Sequence, residues 1–585
     1  MKASTLRIKE VIQNDRLLRV PYFQRRYVWE REQWERFAND MESTLESDSH
    51  YFLGAIILKD EKVTKEEERA GIGSKQLVVD GQQRLTTLSI YMKVLHMLTS
   101  KANTFENQYL QPTDVKNPVI IHSCEDMPQF TEIMHMDVLK NIEGDSNIVE
   151  AYNFFLNHLV KRRDAGINLN ELLNTINASI TFVVISLSSD DDEQQIFDTI
   201  NSLGVPLTTG ELIKNFLFES NDEIAYREGW KQVFDIDEAK NFWESDASMS
   251  RQAKSKANTI LERFFHAFVR VKMWDFKDKL NVYQKKSFVK SENVFTTCKA
   301  FVEVFGMNKQ DLANEILEYA KLYRKYLNES ILDERIPQHA GISRLSCLIN
   351  ASKTYTAMPY VLYILRNVRD EQERNKIFGY LENYLIRRIF TKSSNNNYSD
   401  MFSENLIGQR KNSYNELIKY ISEKHDSALD MPNNKDVKFG LNNNKFDENT
   451  ARLVLYLYET KLENTSNSKF KGGFNDYVAE QFMPKPCSAA NENWPVHEDQ
   501  YEESQRKVLI GTMGNYFLLD VTNEKIFKNC HNEPFEKKVE LLKDWSRNIR
   551  SGNLLGQCHS WNEQTITNRN NVFANGFNEQ IWPLV

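Results

Sequence analysis

The chain has 585 residues, 41% of them hydrophobic and 27% charged, with a formal net charge of −8. That length suggests about three to five domains, and the acidic excess excludes a histone-like basic coat, so any nucleic-acid contact must be local. Six scattered cysteines form no CxxC pair, which argues against a zinc ribbon or a disulfide framework.

The start of the chain lacks the apolar core of a signal peptide. No apolar run nears the ~20 residues of a membrane span. A soluble cytoplasmic protein with no membrane partner is expected. Phe52–Leu58 is an apolar, β-branched run and predicts a buried strand. A charged loop from Lys59 to Lys75 follows, then a second strand at Leu77–Val79. Leu85, Leu88, Met92 and Leu95 fall at helical spacing directly after it. Ile180–Leu187 predicts another strand. The acidic cluster Asp190–Glu193 suits the positive end of a helix, and Gly204 suits its C-terminal cap. Thr208 and Glu211 have the spacing of a capping box for the next helix.

From about 225 to 425 the text is mostly amphipathic helix. Two polar, Asn-rich stretches, 431–449 and 463–475, punctuate the C-terminal part, with a helix at 448–462 between them. No repeat of fixed period occurs. The expected architecture is α+β and predominantly helical, with parts at 1–222, 223–430 and 431–585.

Asp80-Gly81-Gln82-Gln83-Arg84 sits between a strand and a helix. Gly81 permits a tight turn and close backbone approach. The amides of Gln82, Gln83 and Arg84 are then free donors at a helix N-terminus, a ready anion site. Arg84 can add bidentate bonds to a phosphate. Asp80 suits a metal ion or a ribose hydroxyl. A solvated turn is the plainer alternative. Val20–Trp29 packs four aromatics and two arginines into ten residues, which suits base stacking or an extended segment with its aromatics in a core.

The blocks VPYFQRRYVW (20–29), YFLGAIIL (51–58), VVDGQQRLTTL (78–88) and IFDTINSLGVPLTTGELIKNFLF (196–218) resemble, in order and spacing, the N-terminal domain of GmrSD-type modification-dependent restriction enzymes. The resemblance implies a ParB/sulfiredoxin-like α/β fold that binds and hydrolyses a nucleoside triphosphate (GTP, UTP, CTP or ATP). Gln24, Arg25, Asp80, Gly81, Gln82, Gln83, Arg84 and Asn201 would line the nucleotide site. Asp80, Gln82 and Arg84 would serve the hydrolytic step. The second block departs from the family pattern at Leu203, where arginine is common.

The C-terminal text resembles the nuclease domain of the same enzymes, at 450–462, 477–485, 510–542 and the closing Ile581-Trp582. That implies a His-Me-finger (HNH-like) site around one Mg²⁺ or Mn²⁺. The family's first strand reads E-H-x-x-P, and its histidine is the general base. Here Glu480-Gln481-Phe482-Met483-Pro484 puts Gln481 in that slot, and an amide cannot accept a proton at neutral pH. Asn515, Asn523 and His531 complete the expected site, with Asn532 as metal ligand. Three explanations stay open: a decayed nuclease, a base supplied by His531 or His497, or an inactivating substitution. Lys525, Lys528, Lys537 and Lys538 form either a local phosphate-binding face or a solvated helix face. The implied function is an NTP-dependent antiviral restriction factor that senses modified or phage DNA and cleaves it, with a metal ion, at the C-terminal domain. The alternative is a non-cleaving sensor that needs an active partner subunit or a homo-oligomer.

Overall fold

The β-branched run at Phe52–Leu58 lies inside a longer strand and organises the first sheet. The computed structural model describes residues 2–45, 51–113, 115–123, 125–188, 208–219, 222–246, 259–424, 428–462, 470–485, 492–530, 532–546 and 558–584. Two compact units emerge, 1–228 and 229–585.

In the first unit six strands form one mixed sheet: β1 (Lys2–Arg7), β2 (Arg16–Arg19), β3 (Tyr51–Glu61), β4 (Ser74–Asp80), β5 (Ile120–Ile121) and β6 (Ile180–Leu187). Their spatial order is β1-β6-β3-β4-β2-β5. β3 runs antiparallel to β4 and parallel to β6. β2 runs parallel to both β4 and β5. Side chains alternate across the pleat. Ile56, Leu58, Val78, Phe182 and Val184 therefore face the helices, while Ile57, Leu77, Val79 and Leu187 form a smaller cluster apart.

The Gln82–Leu98 helix starts at the end of β4 and is buried almost all round. Such a helix belongs in a core. Its hydroxyls are satisfied inside the helix: Thr86, Thr87 and Ser89 each donate to the carbonyl four residues back, at 2.7, 2.8 and 2.9 Å. The expected loop 59–75 is partly ordered, because Thr64 and Glu67 close a capping box on the short helix Lys65–Arg69. The Thr208–Glu211 box is also present: Thr208 caps the Thr209–Leu217 helix. The expected elements between Asp190 and Gly204 lie outside the described residues.

Among the described residues the second unit is helical except for one antiparallel strand pair, here called the hairpin: β7 (Tyr477–Gln481) with β8 (Tyr516–Asp520). The expected boundary at 430/431 falls inside this unit. The polar stretch 431–449 also differs from the sequence reading, since Asn433 caps a helix at Asn434–Asn443 with Asp436 completing the box. Asparagine there serves as a cap rather than as loop.

One buried network ties the two halves of the unit together. The Arg344 guanidinium meets the Glu382 carboxylate at 2.8 Å, with both side chains essentially excluded from water. Arg344 also donates to Thr460 Oγ1 (2.8 Å) and Leu457 O (2.9 Å), and the Trp582 indole donates to Glu382 Oε1 at 2.9 Å. Burial pushes the Glu382 carboxyl up, but Arg344, Lys461 and the Trp582 bond outweigh it and hold the group below the usual carboxylate range. Next to Glu382 on the Glu371–Thr391 helix, Arg387 donates to Pro432 O and Trp582 O at 2.8 and 2.7 Å. No helix among the described residues is long and apolar enough to cross a membrane.

Breaking a buried pair from one side leaves an uncompensated charge. Glu382→Ala is therefore expected to cost about 3–5 kcal/mol, read as a lower midpoint in urea unfolding. Because the folded carboxyl sits below its unfolded value, its contribution is complete above the ordinary carboxylate range and is lost as pH falls through the folded value. An unchanged midpoint in the variant would remove the pair from the core of this unit.

Candidate functional site

β4 delivers Asp80 to the edge of the turn, and Gly81 reverses the chain into the helix with φ 99°. A Cβ at Gly81 would lie 2.4 Å from Ile56 Cγ2 on β3, so only glycine fits. Gly54, at φ 119°, plays the matching part across the turn, since a Cβ there would lie 2.3 Å from Arg84 Nη1. Arg84 and Asp80 are a quarter and a fifth exposed and meet at 3.2 Å. That is the one side-chain hydrogen bond of Arg84 among the described residues. Most of the guanidinium fork thus stays available beside the first-turn amides.

The two glutamines hold the loop that leads out of β2. Gln83 Oε1 accepts from Val28 N at 2.9 Å, and its Nε2 donates to Arg26 O at 3.1 Å. Gln82 Nε2 donates to Arg25 O at 2.7 Å. From the loop side, Gln24 Nε2 donates to Val78 O and Val79 O at 3.1 and 3.0 Å. Gln82 Oε1 is buried with no hydrogen-bond partner among the described residues. Gln24, Arg25, Asp80, Gly81, Gln82, Gln83 and Arg84 are therefore brought together. Asn201 lies outside the described residues.

The aromatics of this loop divide. Phe23 and Tyr27 are buried, as the core alternative expected. Tyr27 O–H bonds Thr87 Oγ1 at 2.7 Å and accepts from the Trp34 indole at 2.9 Å. Tyr22 donates to Glu219 O at 2.6 Å, which secures the end of the Thr209–Leu217 segment to the loop.

Sequence reasoning passed over Thr86, His122 and Asp126. The Thr86 hydroxyl donates to Gln82 O, so His122 Nε2 must be the donor in its 3.1 Å bond to Thr86 Oγ1. Burial pushes the His122 imidazole down to about 3, which keeps it neutral. Asp126 Oδ2 accepts from Tyr27 N at 2.8 Å. A lone histidine and a lone aspartate carry no spacing signal that could have marked them.

In the second unit Gln481 ends β7, opposite Tyr516. Its Nε2 donates to Ile510 O (2.9 Å) and to Tyr516 Oη (3.0 Å). Asn515 lies beside it, fully buried. Asn515 Oδ1 accepts from Met483 N at 2.8 Å and the Trp561 indole at 3.0 Å, while its Nδ2 donates to Met483 O and Ile510 O. Both lone pairs of that oxygen are committed, which leaves Asn515 a structural part.

Asn523 stands elsewhere. It donates to Asp520, the cap of the Val521–Asn529 helix, and Asp520 pairs with Tyr477 at the far end of the hairpin. Four residue steps along the strand separate the two ends, roughly 13 Å. Asn532 O accepts from Asn493 Nδ2 at 3.1 Å, and His531 lies outside the described residues. His497 Nε2 is hydrogen-bonded to Glu563 at 2.8 Å, and its Nδ1 lies 3.5 Å from the exposed Glu502 carboxylate. Among the described residues no group of three or more His, Cys, Asp and Glu could hold a metal ion.

Of the four lysines of the expected face, Lys525, Lys528 and Lys537 are exposed, as on a solvated helix face, and Lys538 is not. Lys538 is fully buried, donates to Phe482 O at 2.7 Å and stands over the Trp494 ring. Lys528 pairs with Glu480 and Glu524, and Lys537 with Glu533. Burial pushes the Glu480 carboxyl up, and Lys528 offsets only part of that rise.

Two family models match the chain. The model of the GmrSD restriction endonuclease N-terminal domain covers residues 8–218. That of the GmrSD restriction endonucleases' C-terminal domain covers residues 431–575. They fall on the two stretches whose motifs carry the resemblance. No curated protein matches the sequence. With both its glycine-turn site and its C-terminal hairpin inside these matches, the chain belongs to the GmrSD restriction endonuclease family.

Proposed function

We propose that this protein is an antiviral restriction factor that binds and hydrolyses a nucleoside triphosphate at the Asp80–Arg84 turn and acts on modified or phage DNA. The observation that carries the reading is the turn itself. Gly81 lets the turn pack directly on Ile56, and Gly54 lets the Arg84 guanidinium lie against β3, so the partly exposed Arg84 fork stands at the same helix start as the first-turn amides. Amides and guanidinium suit a phosphate. The orphaned Gln82 Oε1 suits a hydroxyl donor such as that of a ribose. These residues fit the nucleotide. When bound, it supplies a phosphoanhydride whose hydrolysis drives the restriction step. Arg84 and the amides stabilise charge on the transferred phosphoryl group. Asp80 holds Arg84 in place and accepts a proton or a hydroxyl. By family resemblance the first unit takes a ParB/sulfiredoxin-like fold.

For the second unit two readings differ in chemistry. In one, the His-Me-finger-like hairpin cleaves DNA with a divalent cation. The described residues do not fit that cation, since Asn515 is committed and no group of three or more His, Cys, Asp and Glu among them could hold a metal ion. No step is derived through it. In the other, the hairpin is a pseudo-nuclease and the protein a non-cleaving sensor that works with an active partner. Gln481, whose amide donates inward to Ile510 O and Tyr516 Oη, favours this second reading.

Purified protein is expected to turn over at least one of ATP, GTP, CTP and UTP. Arg84→Ala is expected to lower kcat/KM about a hundredfold, the scale set by loss of one preorganised donor. Asp80→Ala is expected to fall as well. Normal turnover in both variants would sink the site.

In a plasmid-nicking assay with Mg²⁺ or Mn²⁺, with and without NTP, the wild type is expected to be inactive. Gln481→His is expected to gain cleavage, since a positioned base contributes about 10²–10⁴-fold. Robust nicking by the wild type that survives Gln481→Ala would overturn the pseudo-nuclease reading.

A further inference from the structure

The Glu371–Thr391 helix ends at Lys392, where the backbone turns left-handed with φ 53°. Beyond it lies a cavity of about 340 Å³, walled on the other side by residues 445–450 at the start of the Glu448–Leu462 helix. That volume is in the range of small-molecule sites. Thr354, Ser393, Asn395 and Thr450 give the wall hydroxyl and amide groups, and Leu385 and Phe446 make its apolar part.

Two cations, Lys392 and Lys445, stand on the wall. Both are exposed, and neither forms an ion pair among the described residues. Arg388 lies behind them and builds the wall: its guanidinium donates to Tyr398 Oη, Ser394 O, Ala428 O and Asp430 O. Asp447 is the one carboxylate on the lining, and its Oδ1 accepts from Thr450 N at 2.8 Å. A third cation, Lys485, is close enough to feel Lys445: burial and the charge of Lys445 lower its ammonium, and the Glu448 carboxylate offsets part of that. Cations crowded in this way are relieved by an anion.

The cavity borders the hairpin. Phe446, on its wall, accepts from Tyr516 O–H at 2.8 Å, and that hydroxyl accepts from Gln481 Nε2 at 3.0 Å. Phe446 N donates to Gly511 O at 2.7 Å. Two hydrogen bonds, through Tyr516, therefore join the cavity wall to the residue in the general-base slot.

We propose that this cavity binds a single phosphate-bearing nucleotide, with Lys392 and Lys445 taking the phosphate and the hydroxyl and amide wall taking the sugar or base edge. The nucleotide is either one residue of a DNA strand or a free nucleotide. The site is distinct from the Asp80–Arg84 turn, so the two inferences fail separately.

The test uses the full chain. Anisotropy of a fluorescein-labelled single-stranded oligodeoxynucleotide and calorimetry with ATP compare the wild type, Lys392→Ala/Lys445→Ala, and a Lys537→Ala control. All three lesions are on exposed side chains, and unchanged thermal midpoints verify the fold. If the source is a DNA strand, the double variant binds the oligonucleotide about tenfold more weakly and its log–log salt slope falls by about 1–2. If the source is a free nucleotide, the double variant loses an ATP-binding event while oligonucleotide binding is unchanged. Identical binding of both probes by wild type and double variant, no binding of either probe, or an equal loss in Lys537→Ala overturns the proposal.

Discussion

The loop from Pro21 to Trp29 lies outside the sheet, so its backbone groups have no ladder to bond. A buried backbone donor or acceptor without a partner costs about as much as a lost hydrogen bond. The glutamine amides meet that demand. Gln83 takes one acceptor and one donor from Arg26 and Val28, Gln82 takes Arg25 O, and Gln24 returns two bonds to β4. An amide side chain carries both a donor pair and an acceptor, as a peptide group does, and can stand in for a missing strand. The candidate nucleotide site depends on this clasp, because it fixes the loop arginines against the same helix start that offers the free amides.

The second unit solves a similar problem with charge. A helical stretch and a hairpin-bearing stretch, distant in sequence, meet around Arg344 and Glu382. Isolated, either ion would be costly to bury. Together with Thr460, Leu457 O and the Trp582 indole they satisfy one another. The closing Ile581-Trp582, which in the sequence is only the tail of a motif, turns out to complete this network. Arg387 adds Pro432 O and Trp582 O from the next turn, so the C-terminal end is held twice.

The strands at Phe52–Leu58 and Ile180–Leu187, the turn at Asp80–Arg84 and the Thr208 cap were legible because each carries a local signal: β-branched runs, glycine at a strand end, a capping box. β1 was not, since Lys2–Arg7 is an exposed edge strand with no apolar period. β5 was not, being two residues long. The helix at Asn434–Asn443 hid in an Asn-rich text because asparagine marks caps and loops alike. Lys538 departs from the exposed face its neighbours form for a different reason. Charge in a sequence says nothing of burial, and Lys538 satisfies its ammonium with a carbonyl and aromatic rings instead of solvent.

Glutamine occupies both places on which the functional reading turns, and the same chemistry favours it in one and disqualifies it in the other. At 82 and 83 the amide is wanted for what it bonds. At 481 the family frame wants a group that can take a proton, and an amide cannot. The bonds it makes there follow the pattern of the first site: Gln481 Nε2 donates to Ile510 O and Tyr516 Oη and so braces the hairpin against the Gln500–Leu509 helix end. Asn515 bonds the same carbonyl, Ile510 O, and spends its oxygen on Met483 N and the Trp561 indole. Two amides thus converge on one carbonyl, and both are directed into the hairpin's own scaffold. Where the resemblance expects a base that acts on water, this chain has an amide that holds the backbone. The nucleotide chemistry proposed for this chain therefore rests on the turn that Gln82 and Gln83 tie to its loop, and not on Gln481.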